Sequence, residues 1–512
     1  MKKKKIISFA EILIILLIFP FGMFSFGIVK SKNYFLKEKH QASSWSIPIN
    51  ISNTPSNSES PLIGADTRGK AYVIWIEYQA LRGIYFSTNK SGQWSNPERT
   101  TTIYSRNDDA GFPSFTTTPD GECHFSYQDV AQGNFEILHY EYKNKWSDMY
   151  NISQSSGGSA YSSIRVDPTN NYLYAIWMDG TIKEFQIMIR YRDPATKKWG
   201  VIETIPLMWN AQYLPELAID ENGTAHLVWM TCFGANSAVW YSKNPEPKNY
   251  TKWTSPIPLQ EPTNVKWCWP RVSCDNAGNV YVVWIDNTKG NWEIFLKKKI
   301  NERWQEAENV SKTESLSDQP TIAVDRELGD IYVAWAELQS GKWNIFLKSF
   351  NEDEGWTETT NVSNSSAKSG MPNLFVDPKG GVHLVYSDEQ SGNFEIMYTC
   401  KPGKIVLPPV DLSLETRMNK ILFYEERINI IKWKNNPGNE GNENITITKY
   451  TVYRKEVGQD NSDYSQIYET PDADTLEYRD RDLTLNRKYV YAVTAWDQDG
   501  NESEKSDPVS EG

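Results

Sequence analysis

The chain has 512 residues, a formal charge of −12 at pH 7 and 13% aromatic residues. That acidic balance argues against a nucleic-acid partner, because phosphate binding takes a cationic face. The length is ample for a large core plus a second small domain, and five cysteines leave at least one unpaired in an exported protein.

Lys2 to Lys5 precede an apolar stretch, Ile6 to Val29, whose only charge is Glu11. A cationic end before an apolar run sends the rest of the chain out of the cytoplasm. Residues 1–30 therefore read either as a signal peptide cut near Gly27, after Ser25-Phe26, or as an uncleaved membrane anchor. Both place the protein outside the cytoplasm, secreted in the first case and held at the cell surface in the second. No cysteine lies in or just after the run, which excludes a lipoprotein. Residues 31–44 are a linker.

From residue 45 the sequence becomes periodic. Trp45, Trp94, Trp146, Trp199, Trp253, Trp304 and Trp356 are separated by 49, 52, 53, 54, 51 and 52 residues. A period near fifty built of short strands predicts a β-propeller. Each unit opens on a Pro and an apolar run ending in Asp, such as Pro270 to Asp275, and turns through Gly or Asn. A second strand then closes on Trp or Tyr (Val280 to Trp284), a third comes next (Trp292 to Leu296), and the periodic Trp opens the fourth. Seven such units fill residues 45–403. The last lacks its fourth strand, whereas Trp45 to Ile51 is a fourth strand with nothing before it. The N-terminal strand is thus expected to complete the last blade and leave no open edge.

After Lys404 to Pro409, a short linker, residues 410–512 resemble a fibronectin type III domain. The likeness rests on Trp433, on Tyr450-Thr-Val452-Tyr453-Arg454, and on Leu483 followed by Tyr489-Val-Tyr491-Ala-Val493. It implies a β-sandwich with Tyr489 at the corner position, acting as a spacer. The expected fold class is all-β: a seven-bladed propeller and a β-sandwich behind an N-terminal hydrophobic helix.

The repeat itself resembles sialidase-like propellers, whose blades carry a turn of the form Ser-x-Asp-x-Gly-x-Thr-Trp. Ser87-Thr-Asn89-Lys-Ser91-Gly92-Gln-Trp94 and Ser349-Phe-Asn351-Glu-Asp353-Glu-Gly355-Trp356 are degenerate versions. That family grips a substrate carboxylate with three arginines, the first in a Phe/Tyr-Arg-Ile-Pro motif, because a guanidinium binds a carboxylate in bidentate fashion. The corresponding stretch here, Ser60-Pro61-Leu62-Ile63, has no Arg.

Features present in every unit read as scaffold, and features confined to one or two are where function is sought. The residue after the strand-opening Pro reads Leu62, Ser114, Glu216, Arg271, Thr321 and Asn373, with Ser163 in the unit lacking the Pro. Glu216 and Arg271 are thereby expected side by side, either as an ion pair joining two blades or as a pair facing a ligand, with Arg165 adding a second cation. The same face carries Trp209, Tyr213, Phe233, Trp267 and Trp269, flat rings that either cap the core or bind a sugar or a protein. Cys232 and Cys268 lie in loops of neighbouring units on that face and are disulfide candidates. An acid comes after the second-strand aromatic in six units (Glu77, Asp129, Asp179, Asp286, Glu337, Asp388), as a turn cap or as a ring holding cations. No Cys or His spacing marks a metal site, and no cofactor is expected. The reading expects a surface-associated binding protein for glycan or a protein partner, the membrane being a partner only through an uncleaved N-terminus. The alternative is a glycan-cleaving enzyme using Glu216 with Arg271 or Arg165 and an acid such as Asp179.

Overall fold

The computed structural model describes residues 45–512 apart from 106–109, 132, 181–184, 208–211, 234–235, 262–267, 289, 404–405, 422–423, 441–444, 461–462, 485, 499 and 512. Residues 1–44, where the sequence leads one to expect a signal or anchor and a linker, lie outside the described residues, and among the described residues no helix is long and apolar enough to cross a membrane.

Among the described residues, 49–401 form seven antiparallel sheets consistent with propeller blades, with four strands each and a split outer strand in two of them. We number the sheets in the order of their first strands, which are Asn57–Ala65, Gly111–Thr117, Ser159–Val166, Gln212–Ile219, Arg271–Cys274, Ser317–Val324 and Ser369–Val376. Each first strand touches those of the sheets before and after it, and the seventh touches the first, so the contacts run in a closed cycle. The outer strand of sheet seven is Ile49–Asn50, which pairs with Tyr398 and Met397.

The second strands carry the core. Trp75, Trp177, Trp229, Trp284 and Trp335, with Tyr127 and Tyr386 at the same place in sheets two and seven, are shut away from solvent. Each ring withdraws roughly 200 Å² from water, about 5 kcal/mol of transfer free energy before the entropic cost of ordering it. The periodic tryptophans of the outer strands pack at the rim: Trp94 meets Tyr398 edge-on at 4.8 Å, and Trp304 meets Tyr241 likewise at 4.9 Å.

The six acids after the core aromatics act as caps. Asp129 accepts from the backbone nitrogens of Tyr104 and Ser105 at 2.7 and 2.8 Å, and Asp388 from Ser369 Oγ and Gln390 N. Glu77 and Glu337 also accept from the indoles of Trp75 and Trp335. Donated hydrogens surround them.

Residues 410–510 fold as a three-stranded and a four-stranded sheet around Ile431, Trp433, Tyr450, Tyr491 and Val493. The Tyr489 hydroxyl accepts from Thr484 N at 3.2 Å.

Candidate functional site

The seven first strands surround a cavity of about 860 Å³. One end of it, the mouth, is formed where these strands begin, and there the backbone does the same unusual thing seven times. Ser60, Phe112, Tyr161, Leu214, Trp269, Gln319 and Met371 all have positive φ, between 40° and 56°. All seven line the cavity. Six of them coincide with a shift in strand register, the mark of a β-bulge that re-aims side chains. Left-handed backbone costs a residue with a Cβ on the order of 1–2 kcal/mol. Because the strain recurs in every sheet it belongs to the scaffold, whereas the side chains it presents differ from sheet to sheet. Phe112, Tyr161, Leu214 and Trp269 make an apolar arc over sheets two to five, with Phe112 edge-on to Tyr161 at 5.2 Å. Gln319, Met371 and Ser60 complete the ring, Gln319 Oε1 accepting from Met371 N at 2.6 Å.

Two residues deeper runs a belt. Ser114 Oγ accepts from Ile164 N, Ser163 Oγ from Leu217 N, Thr321 Oγ1 from Leu374 N and Asn373 Oδ1 from Ile63 N, at 3.0 to 3.3 Å. Each bond ties one sheet to the next. Leu62, Glu216 and Arg271 depart from this pattern. The Glu216 carboxylate instead accepts from Arg271, from Arg165 Nη2 at 3.0 Å and from Ser163 Oγ at 3.1 Å. Arg165 also donates to Ile164 O at 2.7 Å and Ser114 Oγ at 3.3 Å. Burial pulls the Arg165 guanidinium below its ordinary value, the Glu216 carboxylate opposes this, and Arg271 adds to it. Side-chain exposure is 12% for Glu216, 30% for Arg165 and 39% for Arg271. The acid is therefore covered while both cations face the cavity, with one positive charge in excess.

The structure thus brings Glu216, Arg271, Arg165 and Trp269 to one wall. Tyr213 is half-buried and packs on Phe185 at 5.5 Å. Asp179 is buried, accepts from Ser159 Oγ at 2.9 Å and is not part of the cavity lining. Trp209 and Trp267 lie outside the described residues, as do the side chains of Phe233 and Cys232, so the Cys232–Cys268 pairing falls there too; Cys268 itself is buried.

Two acids that the sequence reading passed over stand beside the mouth. Burial raises the carboxyl of Glu59 against the pull of Lys368, and burial raises Asp318 against a hydrogen bond from Gln319 N. Both sit just before a positive-φ residue, where the other sheets carry Gly111, Ala160, Tyr213, Cys268 and Gly370. Comparing that position between units was the signal available for finding them.

Away from the mouth, Glu122, His124 and Glu141 hold ligand-type atoms within 4.8 Å of one another. Lys197 Nζ lies 2.9 Å from Glu122 and 3.2 Å from Glu141, and Arg192 also reaches Glu141. Side-chain cations already meet those charges, and we assign no metal to the cluster.

No family model matches the chain, and no curated protein does. Among solved structures, an ulvan lyase of polysaccharide lyase family PL25, bound to -[GlcA(1-4)Rha3S]-, aligns at 11% identity over 68% of this chain and 94% of its own, with TM-score 0.49. The Hadza microbial sialidase Hz136 aligns at 12% identity over 65% and 76%, TM-score 0.41. The NanB sialidase of Streptococcus pneumoniae aligns at 11% identity over 70% of each chain, TM-score 0.40.

Proposed function

We propose that the protein is an extracytoplasmic binding protein. In this reading a seven-bladed propeller, closed by its N-terminal strand, holds a glycan at the channel mouth without cleaving it, and a fibronectin type III domain serves as spacer. One observation carries the reading: among the described residues that line the mouth there are rings and two guanidiniums but one carboxylate, and that carboxylate is covered. Glycoside hydrolysis ordinarily uses two carboxyl groups on either side of the scissile bond. The other acids lining the cavity, Glu221, Asp325, Glu327 and Asp377, come after the ends of their first strands and so stand at the opposite end. Flat, half-exposed rings on a fixed backbone suit a sugar face, and guanidiniums suit its oxygens. Ser46 N bonds Cys400 O at the end of sheet seven remote from the mouth, so the chain enters and leaves the ring on the far side.

The cleaving alternative has one observation of its own. Glu59 and Asp318 are carboxyls raised by burial near the mouth, the state a general acid requires. The test is retention of the protein on a panel of immobilised neutral, uronate-containing and sulfated polysaccharides, with Trp269→Ala as the comparison. Binding predicts retention on at least one of them, weakened by the substitution. Equal retention of the two proteins would remove the mouth from the account.

A further inference from the structure

Four sheets share a buried clasp that sheet one lacks, as do sheets three and four, where Pro206 and Gln260 come after Ile205 and Leu259. In sheets two, five and seven a buried glutamate near the start of the third strand (Glu136, Glu293, Glu395) accepts from a serine hydroxyl after the outer strand (Ser153, Ser311, Ser52). Sheet six does the same with Asn344 and Ser363. In sheet one both members of the clasp change together. Gly83 stands across from Glu77, where Glu136 stands across from Asp129. Tyr104 comes after Ile103, where a serine comes after Ile51, Ile152, Val310 and Val362.

A buried clasp has thus been exchanged for a tyrosine that is 77% exposed. Its ring has no hydrogen bond and no ring contact among the described residues, yet its backbone is clamped, since Asp129 accepts from Tyr104 N and Ser105 N. Tyr78, Leu81 and Val130 are exposed beside it. Arg82 lies over the Tyr78 ring at 5.8 Å and donates to Ser105 O at 2.8 Å, and Val130 N donates to Asp129. Among the described residues, Arg82 and Asp129 hold the platform together, and Arg99, exposed at its edge, donates to Leu81 O and Gln79 Oε1.

Beneath its surface the platform abuts the strand that starts at the mouth. Gly111 fits against sheet one so closely that a Cβ there would meet Ile76 at 2.8 Å and Ile103 at 3.8 Å, and the next residue is Phe112 of the apolar arc. Exposed apolar area on the platform is on the order of 400 Å². One partner of a stable protein complex buries about 800 Å², twice what the platform offers, whereas one or two sugar rings cover it.

We propose that this platform is an outer subsite for the glycan held at the mouth, so that the ligand is an extended oligosaccharide crossing sheets two and one rather than a single terminal sugar. The inference rests on the reading of the mouth as a glycan site. Its test is titration of the full chain with cello-, galacturonate- and carrageenan-derived oligosaccharides of increasing length, from the disaccharide upward. Affinity should rise with length for one of these series. Tyr104→Ala should weaken the longer members about tenfold and leave the disaccharide unchanged, Tyr104→Phe should restore them, and Trp269→Ala should weaken every length. Binding that is independent of length, or equally affected by Tyr104→Ala at all lengths, overturns the outer subsite alone. A fall in sedimentation coefficient on Tyr104→Ala overturns it in favour of self-association. Failure of every series to bind overturns the glycan reading along with it.

Discussion

Ser311→Ala tests whether recurrence between sheets marks scaffold. Ser311 Oγ donates to Glu293, accepts from Ile294 N at 2.9 Å, and is buried together with Glu293. Removing it leaves a buried N–H without an acceptor, which costs about 1–3 kcal/mol. It also takes one donor from a buried carboxylate, though Thr313 N and Asn291 Nδ2 remain at 3.1 Å. The expected loss is about 2–4 kcal/mol, read as a lower urea midpoint at unchanged slope. Tyr104→Ala, at the matching place in sheet one, removes a ring mostly in water, and its cost should stay within about 0.5 kcal/mol. If Ser311→Ala is neutral, or if Tyr104→Ala costs as much, the division of repeated scaffold from unrepeated function is wrong.

Other consequences rest on single contacts. Glu216→Gln leaves Arg165 and Arg271 without their counter-charge; the half-exposure of both cations holds the loss to about 1–2 kcal/mol, and near-full recovery in Glu216→Gln/Arg271→Gln would identify the pair as its source. Gly403→Ala would bring a Cβ to 2.2 Å from Gly381 N and 2.4 Å from Lys379 O, both backbone atoms. It should destabilise by about 2–3 kcal/mol, and an unchanged melting temperature would contradict the packing described. Acid sensitivity is expected from the buried His124–His139 contact, 3.3 Å between ring nitrogens. Burial holds His124 down at about 3 and His139 well below its ordinary 6.5, so both are neutral in the fold. The unfolded chain takes up their protons first, and stability is lost as pH falls from 6.5 toward 3. Glu122 adds to this at lower pH: burial raises it, hydrogen bonds to Glu141 and Lys197 outweigh burial, and its value of about 2 means stability lost between 4.5 and 2. His124→Gln should reduce the loss between pH 7 and pH 4 by about 3 kcal/mol and His124→Gln/His139→Gln by more, and an unaltered acid limb in urea titrations would refute the assignment.

The blade-like sheets were legible because their marks recur. A Trp or Tyr packed against the next sheet must appear once per unit, and the Gly and Asn of each first hairpin are dictated by turn geometry. The adjacency of Glu216 and Arg271 came from the same alignment of units. What the sequence did not reveal is how the mouth is built. Positive φ at Ser60, Trp269 and their counterparts has no residue signature, because a different residue type holds it in each sheet, none of them glycine, and the surrounding sheet imposes it. Arg165 was legible as a second cation beside Glu216, but the direct contact between them depends on how far one strand is staggered against the next. Tyr104 was overlooked because its meaning lies in a hydroxyl–carboxylate clasp visible only once the pairing of strands is known.

The central claim is that the mouth holds a glycan and does not cut it. The most direct measurement incubates the full chain with the polysaccharide that retains it and tracks the size distribution and new chain ends over time, alongside Glu216→Gln, Glu59→Gln and Asp318→Asn. The account predicts a constant size distribution for all four proteins, with retention intact in the native chain. Progressive shortening by the native chain, abolished by any one of the three substitutions, would contradict it and make the protein an enzyme.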